Sequence, residues 1–171
     1  MSHLTYALSL VLTCVPVFAA LPVVAAKDQA ALLKAGDAKL AANKKAAYDF
    51  FRIVLRGRRL DQAEKYMKDD YMQHNPNADT GIKGFKEYFQ KLGGPTDIPN
   101  TLDGLVAVQA EGDYVVLSFV REYDDPTAPG KKYTTTWFDM FRFENGKIAE
   151  HWDSALKAAP AAPAAPAGKQ K

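Results

Sequence analysis

Asp139 lies in the run Tyr133 to Phe143. Strand alternation puts Tyr133, Thr135, Trp137, Asp139, Phe141 and Phe143 on one face of that run. A carboxyl set in an aromatic row loses hydration, which disfavours its charged form. That environment suits a general acid or base working near neutral pH. It equally suits a buried carboxylate paired with His or Arg for structure. Histidine is scarce, with only His3, His74 and His151 in the chain. His74 sits in Tyr71-Met72-Gln73-His74-Asn75-Pro76, and His151 in Glu150-His151-Trp152-Asp153. An imidazole in either cluster could relay a proton or hold a substrate oxygen. A satisfied structural histidine is the other reading of each. Alternation puts His151 and Asp153 on the opposite face from Glu150 and Trp152. Which pair faces inward stays open.

Other chemistries find less support. Two histidines and nearby carboxylates could ligate a metal, but their spacing matches no ligand motif and no His pair lies on one helical turn. No metal is expected. Gly93-Gly94 is not followed by the Lys-Ser or Lys-Thr of a phosphate loop. Ser118 and Ser154 lack the context of a nucleophile elbow. Arg52, Arg56, Arg58 and Arg59 cluster at a predicted helix end, where they are expected to solvate the surface and meet the helix dipole.

The elements that must position these residues change period midway. Leu33, Leu40, Ala47 and Val54 recur every seven residues, with Phe50, Phe51 and Leu55 on the same side. This predicts an amphipathic helix, firmest from 43 to 56, which Asn43 could cap and Gly57 ends. A short helix is expected over 61–67, an extended or looped stretch over 70–76, and a third helix over 82–92. Strand-like runs follow at 102–110, 114–123, 133–143 and 147–153. Their connections are Glu111-Gly112-Asp113, the Pro-containing loop 124–131, and the hairpin dipeptide Asn145-Gly146. Helices first and an antiparallel meander after is an α+β arrangement. Curved around the helices, such a sheet leaves an open end where a pocket forms.

The termini differ from this core. Residues 8–26 carry no charge and end in Val24-Ala25-Ala26 before Lys27 and Asp28. This reads as a signal peptide, residues 1–26, cleaved after Ala26. An uncleaved anchor and lipidation at Cys14 are the alternatives. Residues 27–42 are read as a linker or helix extension, and 43–154 as the domain. Residues 155–171 are read as a Pro/Ala-rich flexible tail, since prolines at every third position forbid a stable helix. Across 171 residues, 22 Lys and Arg face 20 Asp and Glu. That balance argues against a dedicated nucleic-acid binder. Cys14 is the only cysteine, so no intramolecular disulfide and no thiolate cluster can form. Cleavage would leave a cysteine-free chain suited to a periplasmic or secreted setting, with no membrane attachment.

Three stretches together resemble the SnoaL-like branch of the nuclear-transport-factor-2-like superfamily. They are Tyr71-Met72-Gln73-His74-Asn75-Pro76, Gly84-Phe85, and the run from Asp139-Met140-Phe141-Arg142-Phe143 through Glu144-Asn145-Gly146-Lys147-Ile148-Ala149 to Glu150-His151-Trp152-Asp153. The resemblance spans about 43–154. It implies an α+β cone, with three N-terminal helices packed on a curved, mainly antiparallel sheet. It also implies a homodimer through the sheet's outer face. Members of the superfamily include polyketide cyclases that close rings by intramolecular aldol chemistry, ketosteroid isomerases, epoxide hydrolases and many proteins that only bind ligands. In the cyclases a strand aspartate serves as general acid/base with no metal or organic cofactor, and Asp139 matches it. His74 and Asn75 match polar pocket residues of the branch, and His151 and Trp152 match its C-terminal signature. Ser118-Phe119-Val120 stands where many relatives carry a further pocket histidine, and the leader-like segment and the tail also depart from the cyclases.

Two functions are therefore expected. One is a cofactor-free acid/base enzyme of aldol, isomerase or hydrolase type acting on a small carbonyl or polyketide-like compound. Asp139, His74 and His151 would be catalytic, and Asn75, Trp137, Phe141 and Trp152 would bind substrate. The other is a non-catalytic periplasmic binding or accessory module for a small apolar ligand.

Overall fold

The computed structural model describes residues 20–158. The predicted leader therefore lies largely outside the described residues, as does the tail beyond 158. Helix α1 (Gln29–Leu32) is capped by Asp28, and α2 (Ala38–Asp49) by Asp37, whose carboxylate accepts the Leu40 N–H at 2.9 Å. Asn43 is thus a buried mid-helix residue, not the cap, because Asp37 supplies the acceptor a turn and a half earlier. The helix continues beyond Asp49 as a wider π-helical stretch, Phe50–Arg56. The extra residue per turn brings the adjacent pair Phe50 and Phe51 inward together with Val54. Gly57 ends it. A Cβ there would lie 2.7 Å from the Ile53 carbonyl oxygen and 2.9 Å from Ile98, so only glycine fits.

A short 3₁₀ turn, Leu60–Gln62, leads into α3 (Ala63–Tyr66) and directly into β1 (Met67–Gln73). Helix α4 (Gly81–Gln90) follows, then β2 (Leu105–Glu111), β3 (Tyr114–Asp124), β4 (Lys132–Glu144) and β5 (Lys147–Asp153). The five strands form one sheet in the order β1-β5-β4-β3-β2. The last four make the expected meander. The stretch 70–76, expected to be extended or looped, overlaps the fifth strand, β1, which begins earlier at Met67 and pairs parallel with β5. Asn145 and Gly146 both take positive φ, 52° and 77°, as a tight hairpin turn between β4 and β5 requires.

Helices α2 and α4 close the concave face with an aromatic core. Phe50 meets Phe85 at 5.7 Å and Phe141 at 5.8 Å, and Phe51 meets Phe119 at 4.9 Å. Residues 20–26, outside any helix or strand, are tied to the sheet at β2 and β4. Ala26 donates its N–H to the Leu105 carbonyl, and Val23 donates to Thr134 Oγ1, each at 2.8 Å. No helix among the described residues is long and apolar enough to cross a membrane.

Candidate functional site

Strand parity decides what enters the cone. On β1 and its continuation, Tyr71, Gln73 and Asn75 point inward, while Met72 and His74 point out. On β5 the parity is broken once. Phe143 pairs with Ile148 and Arg142 with Glu150, so Ala149 is the extra residue of a β-bulge. Ile148 and His151, three residues apart, therefore both face the core. Without the bulge, His151 would point to the outside with Trp152 in its place. Asp139 on β4 stands directly opposite Asp153, and Phe141 opposite His151.

These placements build one hydrogen-bonded chain. His151 Nε2 lies 3.1 Å from Asp139 Oδ1, and His151 Nδ1 lies 2.8 Å from Gln73 Oε1. Gln73 Oε1 also accepts the Asn75 N–H at 3.0 Å, while Gln73 Nε2 donates to the Tyr71 hydroxyl at 2.9 Å. The amide is thereby oriented with its oxygen toward His151, so His151 Nδ1 must be the donor. A neutral imidazole then has only a lone pair at Nε2. The bond to Asp139 requires one proton between Nε2 and Oδ1, carried either by the imidazole or by the carboxyl. Oδ2 of Asp139 has no hydrogen-bond partner among the described residues. Asp153 is held separately, accepting from Asn75 Nδ2 at 2.6 Å and from the Ala155 N–H at 3.0 Å. Two carboxylates directly opposite each other would repel, and the shared proton and these donors relieve that. Burial, with help from the nearby Asp153 and Asp139 charges, holds the Tyr71 hydroxyl far above the usual phenol range. It therefore stays protonated.

Asp139 and Asn75 of this chain reach the wall of a cavity of about 510 Å³. Asn75, Trp137, Asp139 and Asp153 line it beside Phe51 and Phe119. A smaller space of about 60 Å³, lined by Tyr71, Gln73, Phe141 and His151, shares Asn75, Asp139 and Asp153 with it, so the two adjoin. Donor atoms of Asp139, His151 and Asp153 lie within 4.8 Å of one another. They could offer two carboxylates and an imidazole to a cation, at the expense of the Asp139–His151 bond.

Of the residues singled out from sequence, the fold brings Asp139, His151, Asn75, Trp137 and Phe141 to this cone. His74 and Trp152 lie on the other side of the sheet, because the outward parity of β1 and β5 carries them there. Their rings stack at 4.8 Å, and His74 bonds Glu150 at 2.8 Å, whose other oxygen accepts from Arg142 Nε at 2.8 Å. The Arg142 and His74 bonds hold the Glu150 carboxyl below its ordinary range. Sequence reasoning passed over Tyr71 and Gln73. The two-residue alternation Tyr71, Gln73, Asn75 was the available signal. Arg56 and Arg58, expected from sequence only to solvate the surface at a helix end, line the larger cavity with Arg121, which sequence reasoning passed over.

The model of the SnoaL-like domain family matches residues 47–151. Among curated proteins, none matches the chain. Among solved structures, a polyketide-cyclase candidate from Acidithiobacillus ferrooxidans is 22% identical, with 66% of this chain and 86% of that chain covered and a TM-score of 0.48. IdmH, a polyketide-cyclase candidate from Streptomyces antibioticus, is 18% identical over 65% of this chain and 87% of its own, at 0.42. An LEH-like epoxide hydrolase from M. tuberculosis is 13% identical over 66% and 80%, at 0.46.

Proposed function

We propose that this chain, which belongs to the SnoaL-like domain family, is a cofactor-independent acid/base catalyst acting next to a carbonyl group of a small, largely apolar compound. The observation that carries this reading is the Asp139–His151–Gln73 chain. It presents a buried carboxylate to an aromatic cavity with one oxygen held and the other without a partner. In the imidazolium form, His151 donates from Nε2 to Oδ1, and Oδ2 takes the proton from the carbon next to the substrate carbonyl. The enolate oxygen accepts a hydrogen bond from the protonated Tyr71 hydroxyl in the smaller space. The carbanion then attacks a second carbonyl, whose oxygen takes the proton back from Asp139 as the carbon–carbon bond forms, or it recovers that proton from Asp139 at another carbon. Both endings return Asp139 to its starting state and need no redox partner.

A binding role without chemistry is the second reading. It is favoured by the apolar wall of Phe51, Phe119 and Trp137. One experiment separates the two. Exchange of the α-protons of cyclohexanone and phenylacetone in D₂O is followed by NMR with the wild type and with Asp139→Asn. The catalytic reading expects acceleration that falls by ~10² to 10⁴ in the variant. Equal rates with both proteins leave the binding reading.

Export to the periplasm or medium is part of the proposal, resting on the uncharged run 8–26 and Val24-Ala25-Ala26. So is a homodimer through the outer face of the sheet, where Met72, Tyr114 and Phe138 are exposed. Sedimentation of the wild type against Phe138→Asp tests the dimer, which the added charge should dissociate.

A further inference from the structure

The mouth of the larger cavity is lined by Arg56, Arg58 and Arg121. Elsewhere Arg52 pairs with Asp49 and Arg142 with Glu150, while Arg59, off this lining, makes no ion pair among the described residues. None of the three at the mouth has a carboxylate within salt-bridge distance among the described residues. Two of them are positioned by the fold. Arg121 stacks over the Trp137 ring at 4.7 Å, on the wall of the cavity. Arg58 takes a positive φ of 51°, and its guanidinium fills the space a side chain at Gly93 would need, with Nη1 2.6 Å from where that Cβ would sit. A non-glycine residue in the left-handed region costs conformational energy. Here it turns the side chain back to the cavity.

The acidic residues on the same lining do not neutralise these cations. Asp139 is committed to His151, and Asp153 to Asn75 and Ala155. Asp103, on the rim, and Asp153, whose donors are neutral, are the acids left on this lining beside Asp139, and neither lies within salt-bridge distance of the three guanidinium groups. Along the β3–β4 pair, Phe119 and Trp137 stand opposite each other between Arg121 and Asp139, and Phe51 shares the same lining. From mouth to floor the cavity therefore offers positive charge, then apolar wall, then a proton-transfer group.

We infer that the cavity takes a small amphipathic carboxylic acid, its carboxylate held by Arg58 and Arg121 with Arg56 beside them and its apolar body against Phe51, Phe119 and Trp137. This inference rests on the proposed function only in naming the substrate class of the same site. The planar fork of a guanidinium matches a carboxylate, and such charge-assisted bonds are among the stronger ones a rim residue can make. The substrate that reacts at Asp139 is then a carbonyl compound that also carries a carboxylate.

Calorimetric titration of the full chain with hydrocinnamate and with hydrocinnamyl alcohol tests this. The two probes share an apolar body and differ in charge. The acid should bind about tenfold or more tightly than the alcohol. Added salt should weaken the acid alone. Arg58→Gln and Arg121→Gln should each reduce the preference, and together abolish it. Arg121→Gln alters a rim position and keeps the assay informative if Arg58→Gln fails to fold. Equal affinity for the two probes, binding of neither, or a preference that survives in the double variant overturns the inference. Asp139→Asn separates it from the catalytic reading, since that variant should lose proton exchange and keep the preference for the acid. Loss of the preference beside intact Asp139-dependent exchange removes the substrate class alone. Preference for the acid beside exchange indifferent to Asp139 removes the catalytic reading alone.

Discussion

His151 Nδ1 lies 2.8 Å from Gln73 Oε1, across the parallel β1–β5 pair in which the two residues stand in register. That bond sets the imidazole tautomer, and with it what Asp139 meets on the other side of the ring. Gln73 acts through His151 and is a positioning residue. In Gln73→Leu the Asn75 N–H and the His151 Nδ1–H both lose their acceptor. The expected stability loss is about 1–3 kcal/mol for the groups left unmet. The specific readout is ring ¹⁵N NMR of His151, which should show the tautomer change, while Gln73→Glu should keep Nδ1 protonated. Unchanged ring shifts in Gln73→Leu would remove the positioning role.

Phe141 joins the site to the core. Its ring touches Phe50, Phe51 and the His151 imidazole, and it is fully buried. Phe141→Ala should cost about 3–5 kcal/mol in a urea melt. Phe141→Leu should cost much less. A loss below 1 kcal/mol for Phe141→Ala would mean that the surroundings collapse freely (~1 kcal/mol being the ordinary cost of a point mutation).

Much of this architecture is written in short-range pattern. Alternation on β4 puts Trp137, Asp139 and Phe141 on one face, and Asn145-Gly146 marks the hairpin. Alternation also separates His151 and Asp153 from Glu150 and Trp152. It does not say which pair is inside, because that depends on the bulge at Ala149, which nothing local announces. Strand β1 was harder to read. Met67-Lys68-Asp69-Asp70-Tyr71-Met72-Gln73 has charges in its middle, as an edge strand does, and its partner β5 lies some eighty residues away. Without β1 in the sheet, Gln73 has no visible connection to His151. The arginines escaped for a related reason. Arg56 ends a helix and Arg58 follows it, where solvation is the ordinary fate, and the left-handed turn at Arg58 is not legible in the sequence.

On the outer face, Glu150 carries a pH dependence whose direction is set by its partners. Arg142 and His74 lower its folded-state value below that of the unfolded chain. A depressed carboxylate contributes stability that is present above the unfolded value, about 4.3 for glutamate, and is lost as pH falls through the folded value. Glu150→Gln should therefore be less stable than the wild type at pH near neutrality. The difference should shrink as pH falls below about 4.3. Urea melts of both proteins across that range give the answer. A difference that grows on acidification would contradict the assignment.

Asp139 itself makes a prediction about stability that is independent of catalysis. The bond to His151 requires a proton between Oδ1 and Nε2, and it matters little which atom supplies it. In Asp139→Asn the amide Nδ2 can donate to the lone pair of neutral His151, so the bond survives with a new donor. The facing Asp153 also loses a like-charged neighbour across the β4–β5 pair. Asp139→Asn should therefore stay within about 1 kcal/mol of the wild type. Asp139→Leu has no donor for Nε2 and leaves a buried ring nitrogen unmet, at an expected cost of about 1–3 kcal/mol. His151→Phe in the Asp139→Leu background removes that unmet nitrogen and should recover part of the loss, so the two changes should not add. Thermal melts of the wild type, Asp139→Asn, Asp139→Leu, His151→Phe and the double variant test the whole cycle. Additive losses, or an Asp139→Asn variant as unstable as Asp139→Leu, would show that Asp139 holds the fold through something other than its hydrogen bond to His151.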